Sequence, residues 1–178
     1  FRDDYDVVYR INQDGQNINT TVKFAIKITN LRSDIFVKKF TLAFPKSFII
    51  RNLKATDDNG EIDPKVTVDS TATKMELEFS NPQVGKGNTN TFYLTFNQDN
   101  LFKVNGNVWE VILPTIEGRH EGDYQVQIFL PQDSSKKIAI SKPKPDQIQG
   151  STIFWKNPSS KTIYAVFGEV QLYDLRLT

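Results

Sequence analysis

Between Asn19 and Thr29 the chain alternates. Val22, Phe24, Ile26 and Ile28 are apolar, with Thr21, Lys23, Lys27 and Thr29 between them, the period of a strand that turns one face to a core and the other to water. A polar break follows at Asn30-Leu31-Arg32-Ser33-Asp34, and Ile35 to Phe44 then carries Phe36, Phe40, Leu42 and Phe44 on one parity. Together the two runs predict a long antiparallel pair around which the rest is organised. Upstream, Tyr5 to Asn12 predicts another strand. Asp14-Gly15 supplies the positive φ of a tight hairpin, so this first strand should pair with the run from Asn19.

The same alternation recurs downstream. Phe48 to Ala55 is followed by the turn Asp57-Asp58-Asn59-Gly60 and by Val66-Thr67-Val68. Met75, Leu77 and Phe79 alternate with Glu76 and Glu78, and Phe92, Leu94 and Phe96 resume after the loop Asn81 to Gly87; these sets read as inward positions of one sheet. Val108 to Pro114 is apolar on both parities, as in a strand covered on both faces. Tyr124, Val126, Ile128 and Leu130 alternate again, and Lys137 to Ser141, Thr152 to Lys156, Thr162 to Phe167 and Val170 to Leu177 complete the series. Short strands spaced by about 8–12 residues, with no helical period anywhere, predict an all-β fold. The expectation is an extended antiparallel β-sandwich of roughly a dozen or more strands in two packed sheets, with little or no helix. It would form one domain over residues 1–178, with two sub-sheets that would meet near 100–108. Phe24, Ile26, Ile28, Leu77, Phe92, Leu94, Trp109, Val126 and Ile128 are its expected core.

At 178 residues the chain is long enough to bury roughly 70% of its unfolded surface. Its 22 Lys and Arg balance 21 Asp and Glu, so no net field gathers polyanions and no nucleic-acid partner is expected. The absence of cysteine excludes disulfides, thiolate metal sites and a cysteine nucleophile within these residues. Apolar runs such as Val111-Ile112-Leu113 fall far short of the roughly 20 residues of a membrane helix, so no span is expected here. Phe1 in place of Met suggests a piece of a longer protein.

Few side chains invite chemistry. Asp57, Asn59 and Asp63 lie in an oxygen-rich stretch of the kind calcium prefers, but Asn59-Gly60 between two strands is a hairpin turn on its own account. His120, the one histidine, stands among Glu117, Arg119 and Glu121 with no Ser or Cys pairing motif, the setting of a solvated loop residue. Trp109 lies in an apolar strand and reads as core. Trp155 borders Lys156-Asn157-Pro158 and is expected to be partly exposed, able to stack on a sugar or a partner. Lys142 and Lys144 flank Pro143 as a local basic patch. No catalytic group and no cofactor are expected.

Several segments together resemble a known family. They are Thr29 to Asp34 leading into Phe36-Val37-Lys38-Lys39-Phe40, Val84-Gly85-Lys86-Gly87 before Phe92, Asn105-Gly106 before Val108-Trp109-Glu110-Val111, and Phe167 to Asp174. In order and spacing they look like the amino-terminal β-rich region of transglutaminase-like proteins of candidate-phylum bacteria. The architecture is similar, more distantly, to β domains of ribophorin and of zinc aminopeptidases. The resemblance implies a region preceding a papain-like transglutaminase domain whose Cys, His and Asp carry the chemistry; with no Cys and one His here, none of those residues can be carried over. It further implies an extracytoplasmic, monomeric accessory domain that positions its downstream neighbour or binds another protein. The residues expected at that interface are Trp155, Tyr173, Lys142 and Lys144. The alternative is an independent carbohydrate- or ligand-binding module using Trp155.

Overall fold

A computed structural model of the chain describes residues 1–115 and 121–169. Fifteen strands follow one another: β1 (Arg2–Asp14), β2 (Asn17–Thr29), β3 (Lys39–Pro45), β4 (Ile50–Asp57), β5 (Gly60–Ile62), β6 (Lys65–Val68), β7 (Ala72–Glu78), β8 (Thr89–Gln98), β9 (Phe102–Asn105), β10 (Val108–Pro114), β11 (Tyr124–Phe129), β12 (Lys136–Lys142), β13 (Gln147–Gln149), β14 (Thr152–Lys156) and β15 (Thr162–Glu169). There is no helix among the described residues. The all-β expectation therefore holds.

An eight-stranded sheet in the order β13-β14-β11-β1-β2-β8-β4-β5 forms one layer. The β1–β2 hairpin closes through Gly15, at φ 60°, and runs in register from Asp14↔Asn17 to Arg2↔Thr29. Along this sheet Tyr5, Val7 and Tyr9 stand opposite Ile26, Phe24 and Val22 on one side and Tyr124, Val126 and Ile128 on the other. Because paired residues share a face, one side of the sheet carries the whole apolar row. Two smaller sheets cover it, β12-β15-β10-β9 and β3-β7-β6. Phe44 meets Phe24 edge-on at 5.7 Å, and Phe79 stacks on Phe92 at 3.6 Å, both across the layers. All nine residues expected in the core are buried.

Several expectations are corrected. The second layer is divided, so there are three sheets rather than two. Residues 99–101 carry the chain from the eight-stranded sheet into the four-stranded one. The Asn19–Phe44 stretch is not a hairpin: β2 pairs with β1 and β8, whereas β3 pairs with β7 in the other layer. Asn30 accounts for the departure. Its N–H donates to the Asn88 carbonyl, its carbonyl accepts from Gly87 N–H and its side-chain amide donates to the Gln83 carbonyl, so the chain leaving β2 is tied to the 83–88 loop and crosses over. Phe36 in that crossing is 48% exposed. Met75–Phe79 and Phe92–Phe96 belong to facing sheets, not to one. β10 buries only Trp109, Val111 and Leu113; Val108 and Ile112 face water. The expected strand Val170–Leu177 lies outside the described residues.

Candidate functional site

Trp155 does not offer a binding face. It shares its parity with Ile153 and lies opposite Val126, which turns it inward, and its side chain is 0% exposed. The indole N–H donates to the Pro143 carbonyl at 3.1 Å, which also accepts from the Ser141 hydroxyl. The side chain of Asn157 beside it is committed as well. Asn157, at φ 48°, receives the Tyr124 N–H on its side-chain oxygen at 2.7 Å and donates its amide to Asp123. Lys142 and Lys144 are exposed on either side of Pro143, and Trp155, buried beneath, is not an exposed aromatic beside them. Tyr173 and His120 lie outside the described residues.

The oxygen-rich turn is structural as well. Asp57 is buried, and its two carboxylate oxygens accept the N–H groups of Asn59 at 2.8 Å and Ser80 at 3.0 Å. Burial pushes this carboxyl pKa up, and the two backbone donors outweigh it, leaving it below the ordinary value. Asp63 is exposed beyond β5. Among the described residues no three His, Cys, Asp or Glu side chains are grouped to hold a metal.

One feature that could act on another molecule is a slot in the divided layer. A cavity of about 660 Å³ opens between β3 and the loop ends of β10 and β15, over β1 and β2. Tyr5, Phe24, Phe40, Leu42 and Phe44 line it on one side; Pro114, Thr115 and Thr162 line the other. β3 is the edge of its sheet, and the hydrogen-bond alternation of an antiparallel pair fixes which of its groups are free. Phe79 N–H donates to Lys38 O, so in the register Phe40↔Leu77, Leu42↔Met75 and Phe44↔Thr73 the even-numbered residues bond to β7. Lys39, Thr41 and Ala43 therefore turn their peptide groups to the open edge, and Pro45 ends the row. Lysines commonly guard such edges, but the Lys39 ammonium is drawn onto β7 by Glu76 at 3.0 Å. Sequence alternation identified the apolar face of β3 and could not identify its edge position, which depends on the partner strand.

A second, smaller recess of about 260 Å³ is polar, lined by Asp58, Asn59, Asn81, Gln83, Asn88 and Asn90 among others. Asn90 is 5% exposed; its side-chain oxygen accepts the Gln83 N–H at 3.1 Å, and its side-chain nitrogen has no partner.

No protein-family model and no curated protein matches the chain. Among solved structures it is similar to the M1 zinc metallopeptidase from Deinococcus radiodurans, at 10% identity and a TM-score of 0.46, over 94% of this chain and 42% of that one. It is also similar to leukotriene A4 hydrolase from Saccharomyces cerevisiae, at 9% identity and a TM-score of 0.47, over 93% of this chain and 29% of that one. The chain thus spans less than half the length of these enzymes. No residue role is carried across from them.

Proposed function

We propose that the chain is a non-catalytic accessory domain that holds a polypeptide partner in the slot beside β3. In its parent protein that partner is a transglutaminase-like domain, and the pair works outside the cytoplasm. The observation that carries the docking reading is the apolar slot itself, whose aromatic floor lies beside strand-edge groups that no described strand pairs; apolar recesses rimmed by polar groups mark interaction sites. The sequence resemblance supports the nature of the neighbour, and the lack of cysteine keeps a cysteine nucleophile out of this chain. The test is calorimetric titration of the 178-residue chain with the separately purified neighbouring domain, repeated with Ala43→Arg. Ala43 is exposed and lines the slot, so arginine there blocks the site without entering the core. Saturable binding weakened by about tenfold, roughly 1.4 kcal/mol, supports the reading; no binding by the parent chain, or equal binding by the variant, overturns it.

A second reading rests on the polar recess. Amide and carboxylate groups around a buried side-chain nitrogen without a partner suit a hydroxyl-rich ligand such as a carbohydrate. Titrating a glycan mixture while following the side-chain amide signals of Asn81, Gln83 and Asn88 tests it; unmoved signals count against it.

A further inference from the structure

We propose that the occupant of the slot is an extended polypeptide segment, apolar at alternate positions, that adds as a strand to the open edge of β3; this rests on the docking reading above and specifies its mode. The peptide groups of Lys39, Thr41 and Ala43 lie two residues apart and face away from β7, as the register requires, and Thr41 and Ala43 line the slot. Free groups repeating at about 6.8 Å match the two-residue repeat of another extended strand. An aliphatic or lipid occupant would strip water from these N–H and C=O groups and leave them unpaired, whereas an added strand satisfies them. The added strand's alternate side chains would then point down between the two smaller sheets, onto Tyr5, Phe24 and Phe40, which sets the requirement for apolar residues at every second position. Charge selects little at this edge, because Lys38 and Lys39 are already paired with Glu78 and Glu76. β3 offers such groups only up to Pro45, so the match covers about three residue pairs and favours a short segment.

The probe is a capped nine-residue peptide of alternating Val and Thr with a Lys at each end; the control has the same composition with the valines contiguous. Titration into the isotope-labelled chain should slow amide exchange at Thr41 and Ala43 by at least about tenfold, while Leu42, bonded to β7, stays slow throughout. Ala43→Pro removes one edge N–H that β7 does not use, and should weaken binding by about tenfold or more. Val66→Pro makes the same change at the outward edge of β6 across the same sheet, and should leave binding unchanged. If Ala43→Pro fails to fold, the exchange measurement on the parent chain decides alone. Failure of the alternating peptide to bind, equal binding of the contiguous-valine control, or unaltered exchange at Thr41 and Ala43 overturns the proposal. So does concentration-dependent protection of these amides without peptide, which would make a second copy the occupant. Should the neighbouring domain bind and lose affinity with Ala43→Arg while the peptide arm fails, docking stands and the added strand does not.

Discussion

Replacing Phe92 with alanine should cost about 4–5 kcal/mol. The side chain is 0% exposed in the middle of β8, between Ile26 and Asp57 in register, with its ring stacked on Phe79 at 3.6 Å and 14° between planes. A buried phenyl removes on the order of 200 Å² from water, which at about 25 cal/mol per Å² is about 5 kcal/mol, near the top of the 3–5 kcal/mol seen when buried aromatics are truncated. Collapse would not recover much of this, because Phe92 and Phe79 are held in separate sheets by their own ladders. Phe24→Ala is the internal comparison. Phe24 is equally part of the core but lines the slot, so the space it leaves joins an existing opening, and about 3 kcal/mol is expected. Urea unfolding at pH 7, followed by both circular dichroism and tryptophan emission, measures each loss, provided the two probes coincide and the slope is unchanged. A cost below about 2 kcal/mol for Phe92→Ala, or a larger cost for Phe24→Ala, would refute this account of the facing sheets.

Asp57→Asn should lose about 1.5–3 kcal/mol in the same assay, since one oxygen that accepts a backbone N–H becomes a donor; an unchanged midpoint would remove its anchoring role. Gly122→Ala should destabilise by about 1–3 kcal/mol or more, because a Cβ would fall on the Asp3 carbonyl at the head of β1, and wild-type stability would contradict the close approach. Stability should fall at both pH extremes, read as the thermal midpoint from pH 2 to 11. Asp69 is held low by the N–H groups of Thr71 and Ala72 with Lys74, and Glu78 by Lys38. Depressed carboxylates contribute above their unfolded values near 4 and lose that contribution as pH falls through the folded ones. Tyr9 is raised well above its ordinary 10.0 by burial, with Tyr124 adding to it, so its contribution is present below pH 10 and lost above; a flat alkaline limb would count against its burial. Both tryptophans are buried, so emission should be blue-shifted and resist acrylamide, and quenching like that of free tryptophan would contradict their placement.

Local signals were legible where local chemistry decides. Asp14-Gly15 fixes a two-residue turn, and its hairpin runs the full length of both strands. Period-two alternation gave the core face of β2, β7, β8 and β11, because packing against one layer imposes that period whichever strand lies alongside. Partner choice is another matter. Nothing in Ile35–Phe44 says that Phe44 faces Phe24 from the opposite layer instead of lying beside it in one sheet, and the deciding contacts, from Asn30 to Gln83 and Asn88, span more than fifty residues. The polar neighbours Lys156 and Asn157 suggest exposure at Trp155, whereas its shared parity with Ile153 turns it inward. The slot was not visible at all, being the space left where two sheets fail to join.

The pairing of β1 with β11 bears on the order of events during synthesis. It is parallel and joins Tyr5 to Tyr124 and Arg10 to Phe129, while the Asp4 carboxylate receives the Asp123 N–H from 119 positions away. The middle of the largest sheet therefore cannot close until the residues through Phe129 have left the ribosome. Until then, β1 presents an unsatisfied edge thirteen residues long, while β2 and β8 beside it already have both their neighbours. Such a nascent half is prone to pairing with a copy of itself. Closure across so large a sequence separation is slow, so in a cell the yield of this domain would be governed by whether β11 arrives before another chain does.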